Sequence, residues 1–217
     1  MLALECALDV MIGYGNEVHM KKILYVLRHG QTMFNLQKKI QGWCDSPLSP
    51  LGIAQAEVAR DYFLSQGITF DAAYSSTSER ASDTLEIATN YSMPYIRLKG
   101  LKEWNFGRFE GESEGLNPQL PYRDFFVRYG GEDEREVQQR VTKTIEEIMR
   151  KDGHQSVLVA THGAAGTKFY QSYEAYAVVK KVGSFKNCSI MKYDYDSETE
   201  IFTLVEIVEH DFSSLTQ

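Results

Sequence analysis

No stretch of the chain is apolar for long enough to cross a bilayer, which excludes a spanning helix as its organising element. Cysteine is scarce: Cys6, Cys44 and Cys188 are scattered, odd in number and form no C-x-x-C pair. That pattern argues against a disulfide framework or a zinc site and is expected of a reducing, cytoplasmic compartment. No Lys/Arg-rich block interrupts a formal net charge of −7, so general affinity for nucleic acid is excluded as well. Internal repeats, low-complexity tracts and interdomain linkers are also missing. What remains is an ordinary globular composition over 217 residues, enough to bury the core of one α/β domain.

The first twenty residues carry Glu5, Asp9 and Glu17 but no Lys or Arg, so a secretory signal with a basic n-region fits them poorly. Met20-Lys21-Lys22-Ile23 reads as a chain start directly before a strand. Residues 1–19 are therefore read as an N-terminal extension, or the product of an upstream start, outside a single domain over 20–217.

Two short runs organise the rest. Tyr25-Val26-Leu27 leads into Arg28-His29-Gly30-Gln31-Thr32, and Val157-Leu158-Val159-Ala160 leads into Thr161-His162-Gly163. Each run is short and rich in β-branched and aliphatic residues, as a buried strand is. A buried strand that opens into an imidazole and a glycine delivers them to a sheet end, where open α/β folds bind ligands. Two such strands, parallel in one sheet, bring His29 and His162 to the same edge.

The remaining elements follow from periodicity and caps. A polar loop spans 35–47, and Ser49-Pro50 reads as N-cap and first position of a helix that Gly67 stops. A second strand is expected over 70–75. Ser76 and Thr77 then cap a helix running to about Thr89, which puts Arg80 in its anion-friendly first turn. An extended piece over 95–98 precedes an ordered loop over 101–111, and 122–129 reads as a short aromatic helix. The helix over 133–151 has acids at its front and an apolar stripe of Val137, Val141, Ile145 and Ile148. Helices are expected from about Ala164 and over 173–181, strands over 189–195 and 201–207, and His154, beside Gly153, exposed in a turn.

The chemistry lies in Arg28, His29, Arg80, Glu103 and His162 taken together. Two guanidiniums offer planar forks matched to phosphate oxygens. A neutral imidazole is a competent nucleophile near neutral pH, and covalent catalysis divides one hard displacement into two easier ones. A carboxylic acid can protonate a leaving alkoxide and then deprotonate water. Trp104 and Phe106, beside Glu103, are expected to favour its protonated form by desolvation. Singly, each residue has a blander reading: His29 or His162 as a hydrogen-bonded structural histidine, Arg80 as a solvated helix residue, Glu103 as a surface carboxylate. Glu110 is read as shaping its loop, Cys44 as lacking a base partner, and Phe125, Phe126 and Tyr129 as core or interface as readily as substrate wall. A metal site is disfavoured because neither H-x-H nor H-E-x-x-H spacing occurs.

These residues resemble the histidine phosphatase superfamily, the phosphoglycerate mutase-like enzymes. Arg28-His29-Gly30-Gln31-Thr32-x-x-Asn35 matches the R-H-G-x-T-x-x-N signature in full. Gln41-Gly42, Asp45-Ser46-Pro47-Leu48-Ser49, Ser75-Ser76-x-x-x-Arg80-Ala81, Leu101-x-Glu103-x-x-Phe106-Gly107-x-x-Glu110-Gly111 and Thr161-His162-Gly163 follow in order, across roughly residues 21–207. The resemblance implies a three-layer α/β/α sandwich with a mostly parallel mixed sheet, and neither metal nor cofactor. It implies His29 as the phosphorylated nucleophile, Arg28, Arg80 and His162 around the phosphoryl group, and Glu103 as proton donor. Asn35 and Gln41 would line the pocket, with Gly30, Gln31, Thr32, Gly42 and Gly163 in the substrate-binding segments. The expected partner is a small phosphorylated substrate or inorganic phosphate; a homodimer stays open.

Within that family, cofactor-dependent mutases typically follow the acid glutamate with Arg-His-Tyr-Gly, add an Arg-Arg pair and carry a longer insert. Here Trp104-Asn105-Phe106-Gly107 follows Glu103, no Arg-Arg pair occurs, and about twenty residues separate Gly111 from Gly131. The cations Arg97, Lys102, Arg123 and Arg128 are few for a bisphosphorylated glycerate, and Trp104, Phe106, Phe125 and Phe126 fit a less charged leaving group. A phosphatase is favoured over a mutase, with a noncatalytic phosphate-binding regulator as the alternative from another class. Retention of both His29 and Glu103 counts against the last, since a pure binder needs neither.

Overall fold

The computed structural model describes residues 21–215, so the extension expected over 1–19 lies outside the described residues. Six strands follow in chain order: β1 (Lys21–Arg28), β2 (Ala72–Ser76), β3 (Ile96–Leu98), β4 (Ser156–Thr161), β5 (Ile190–Asp196) and β6 (Ile201–Val208). Among the described residues the α-helices are α1 (Met33–Leu36), α2 (Pro50–Ser65), α3 (Glu79–Ala88), α4 (Glu134–Met149) and α5 (Gly163–Tyr173).

The strands form one sheet in the order β3-β2-β4-β1-β5-β6. From β3 to β1 the pairings are parallel, while β5 runs antiparallel to β1 and β6 antiparallel to β5. Alternate residues of β1 enter opposite cores. Leu24 and Val26 pack with Val137, Val141, Ile145 and Phe169 of α4 and α5; Tyr25 and Leu27 pack with Ala56, Ala59, Phe63 and Leu85 of α2 and α3. A strand covered on both faces needs an unbroken apolar run, which is why β1 and β4 show no polar alternation. The result is the expected α/β/α sandwich. No helix among the described residues is long and apolar enough to cross a membrane.

Local chemistry accounts for most boundaries. Ser49 Oγ accepts the Gly52 N–H at 3.0 Å, and Gly67, at φ 63°, ends the turn after α2. Asp133 and Glu136 form a capping box at the front of α4, whose apolar stripe is buried.

Four local expectations fail, each for a visible reason. Residues 122–129 are turns closed by a 3-10 segment, Val127–Tyr129, because Arg123 sits at φ 47° and breaks a right-handed helix. Beyond α5 only the 3-10 turn Glu174–Tyr176 forms. Val178 and Val179 then donate to Leu204 O of β6, so the backbone leaves the helical path. Ser76 does not cap α3, which starts after Ser78, since the Ser76 hydroxyl bonds elsewhere. His154 is half-buried, its Nδ1 2.8 Å from Ile148 O near the end of α4. The polar loop over 35–47 also opens on a helical turn: Thr32 caps α1 and Asn35 completes a capping box, a physical reason for the T-x-x-N spacing.

Candidate active site

Parallel register brings the two histidines together. Arg28 stands opposite Thr161, the His29 N–H donates to Thr161 O at 3.0 Å, and the rings of His29 and His162 lie 5.2 Å apart. β2 ends beside them, with Ser75 opposite Ala160. Arg80 arrives from the first turn of α3.

The hydrogen bonds of this cluster leave particular atoms unused. His29 Nδ1 lies 2.7 Å from Gly30 O. A carbonyl can only accept, so this nitrogen carries the proton and Nε2 keeps its lone pair. Arg28 donates through Nη1 to Phe185 O. Arg80 donates through Nη1 to Cys44 O at 3.0 Å and Asp45 Oδ1 at 2.8 Å, and through Nη2 to Gly42 O at 2.8 Å. Six buried side-chain polar atoms lack a partner among the described residues, and three of them are Arg28 Nε, Arg80 Nε and His162 Nδ1. Buried polar atoms are nearly always satisfied, so three orphans beside one imidazole mark a place built to receive an acceptor-rich group.

Glu103 approaches from the loop after β3. Its Oε1 accepts the N–H groups of Trp104 and Ala165 and its Oε2 that of Ala164, each at 2.9 Å. The last two are first-turn donors of α5, which have no helical partner of their own. The loop itself is held by Arg140 of α4, whose guanidinium donates to the carbonyls of Gly100, Lys102 and Glu103 and pairs with both oxygens of Glu132.

A cavity of about 690 Å³ opens beside these groups. Arg28, His29, Asn35, Gln41, Glu103 and Gly163 line it, with Trp104, Phe106, Tyr122 and Phe185 as an aromatic wall. Arg80 and His162 are fully buried behind that lining. Gly30, Gln31, Thr32 and Gly42 do not line it; they brace the loops. Gln31 Oε1 accepts from Ser49, Thr32 Oγ1 donates to Gln41, and a Cβ on Gly30 would meet Gly52 O at 2.4 Å. Phe126 lies in the core, and Arg97, Lys102, Arg123 and Arg128 lie outside the lining, which carries Lys39, Lys168 and Lys181 instead. No group of three His, Cys, Asp or Glu among the described residues is placed to hold a metal ion.

Burial, followed by the nearby Arg80 and Arg28 charges, holds His29 well below the ordinary histidine range. Burial and then Arg80 do the same to His162. Both rings are therefore neutral near pH 7. Burial and the Glu110 carboxylate push the Cys44 thiol up to about 11, so it is a poor nucleophile. Glu110 itself accepts the N–H groups of Trp43, Cys44 and Phe106, which fixes the loops on either side of Glu103.

Several participants escaped the sequence reading. In sequence Ser76 reads as a cap, Asp45 carries only its motif, and Arg140 looks like one more charge on an amphipathic helix. Asn187, which donates to His29 O at 2.9 Å, carried no local signal at all.

An α/β/α sandwich with two histidines and two arginines converging at the strand ends defines a class, and wider comparison agrees with it. Residues 24–208 match the family model of the histidine phosphatase superfamily, branch 1. The chain belongs to that superfamily of phosphatases and phosphoglycerate mutases and is an enzyme of that type. It is 29% identical over 198 residues to a broad-specificity phosphatase of Saccharomyces cerevisiae, covering 86% of each chain. It is 33% identical over 156 residues to a 2,3-bisphosphoglycerate-dependent phosphoglycerate mutase of Cytophaga hutchinsonii, covering 65% of this chain and 72% of that one. The crystal structure of phosphoglycerate mutase from Bacillus anthracis matches with a TM-score of 0.75 at 29% identity, covering 86% of this chain and 92% of the other.

Proposed function

We propose that the protein is a phosphomonoester hydrolase working through a phosphohistidine at His29 on a small phosphorylated metabolite. The observation that carries this reading is the set of unused atoms: the Nε2 lone pair of His29 beside three buried nitrogens on Arg28, Arg80 and His162 that have no partner among the described residues. In the first step Nε2 attacks phosphorus, the P–O bond to the leaving group breaks, and Glu103 supplies the proton to the departing oxygen. In the second, Glu103 takes a proton from water, the water oxygen attacks phosphorus, and the P–N bond breaks to release phosphate. Phosphoryl transfer needs positioning and charge stabilisation above all, which buried guanidiniums and a neutral imidazole donor provide.

Hydrolysis is favoured over mutase activity by the cavity's charges. Besides Arg28, its lining carries Lys39, Lys168 and Lys181, of which Lys168 is engaged by Glu134 and Gln171, while Glu103, Glu114 and Glu134 stand in the same wall. A doubly phosphorylated ligand fits that balance poorly, whereas a singly phosphorylated ester with a partly apolar leaving group fits the aromatic wall. Similarity over most of its length to a broad-specificity phosphatase points the same way.

The test is incubation with ³²P-labelled monoesters. Acid-labile label on the protein, lost in His29→Ala, together with phosphate release across an ester panel, is expected. Bisphosphoglycerate-dependent interconversion of 3- and 2-phosphoglycerate with negligible phosphate release would assign a mutase instead. Binding of phosphate with neither labelling nor turnover would leave a regulator.

A further inference from the structure

We infer that Ser76 is a positioning residue that fixes His162 as the Nδ1–H tautomer, so that this ring meets an incoming phosphoryl oxygen as a donor. The phosphoryl half of that statement rests on the proposed function; the tautomer half rests on hydrogen-bond geometry alone. A serine hydroxyl has one proton to give and two lone pairs to offer. The Ser78 N–H donates to Ser76 Oγ at 3.1 Å, and His162 Nε2 lies 2.7 Å from the same oxygen. If Nε2 carried the ring proton it would be a second donor to Ser76, whose own proton would then have no acceptor among its contacts. The ring's other nitrogen, Nδ1, is buried and has no partner among the described residues. If Ser76 donates to Nε2 instead, every contact around the hydroxyl is satisfied and one N–H, on Nδ1, is left over. That N–H belongs to a fully buried residue whose ring lies 5.2 Å from that of His29.

The chain Ser78 N–H, Ser76 O–H, His162 N–H thus carries a donor from the turn before α3 to the catalytic hollow. Orienting a histidine through its remote nitrogen is how a second residue selects its tautomer. It also explains why Ser76 is missing from the cap of α3: its hydroxyl is committed to β4's end, and Ser78 caps α3 without a side-chain bond.

The test needs no substrate. In ¹⁵N-histidine-labelled protein free of phosphate, His162 is expected to show a protonated Nδ1 and an unprotonated Nε2 above neutral pH. In Ser76→Ala the His162 signals shift toward the Nε2–H form, while the His29 signals keep their tautomer. Inorganic phosphate, titrated by the same shifts, binds about tenfold more weakly in that variant. Ser76→Thr, which keeps the hydroxyl, restores the tautomer. A wild-type His162 carrying its proton on Nε2 overturns the inference, as does an unchanged tautomer in folded Ser76→Ala. The wild-type spectrum decides even if the variants fail to fold. Loss of the expected tautomer leaves the phosphatase reading intact, and absence of turnover with the tautomer present does the reverse.

Discussion

Replacing Arg140 by alanine separates holding the Glu103 loop from doing chemistry in it. Its guanidinium offers five N–H donors, and all five are used: two on the Glu132 carboxylate at 2.8 Å, and three on the carbonyls of Gly100, Lys102 and Glu103 at 3.0, 2.8 and 3.2 Å. Both partners of the ion pair are largely shielded, with side-chain exposures of 19% and 16%. Removal leaves a half-buried carboxylate and three carbonyls short of a donor. Bonds to a charged group contribute more than neutral ones but do not add independently, so the expected loss is about 3 kcal/mol. Against a total stability of about 5–15 kcal/mol the variant stays folded at 25 °C, with a lower urea midpoint. The loop then relaxes and Glu103, the proposed proton donor, moves; displacement of a reacting group by an ångström costs about a hundredfold in rate. We expect kcat for monoester hydrolysis to fall about that far with little change in KM, since the proposed phosphate-binding groups stand on other elements. Arg140→Lys keeps the charge but not the fork, and should recover only a small part. A variant destabilised by the expected amount yet within twofold of wild-type kcat would refute the link between this fork and catalysis.

Two further outcomes follow from the same contacts. His29 and His162 are both held below the unfolded histidine value of about 6.5, so in the window beneath it the unfolded chain binds more protons than the folded one. Stability attributable to these rings is therefore complete above about pH 6.5 and lost as pH falls below it; urea midpoints across that range should slope less in His29→Asn, and an equal slope would contradict the assignment. At the loop junction, a Cβ on Gly52 would meet Gln31 O at 1.9 Å. Gly52→Ala should cost about 3 kcal/mol and lower activity by displacing the segment after His29, and a thermal melt unchanged from wild type would exclude that close packing.

The sequence by itself determined the elements whose chemistry is local or repeated. Continuous apolar runs specified the two central strands, Ser49-Pro50 and Asp133 specified helix starts, and the residues after each strand specified what arrives at the sheet edge. Even the convergence of His29 and His162 was legible, because parallel strands in one sheet must end on the same side. Tertiary structure alone decided the rest. Whether 122–129 and 173–181 are helical depended on left-handed Arg123 and on distant Leu204 O, neither of which leaves a periodic trace. The roles of Ser76, Arg140 and Asn187 depended on partners 86, 37 to 40 and 158 positions away along the chain. A hydrogen bond is settled by donor and acceptor geometry in space, and a side chain carries no local mark of which remote atom it will meet.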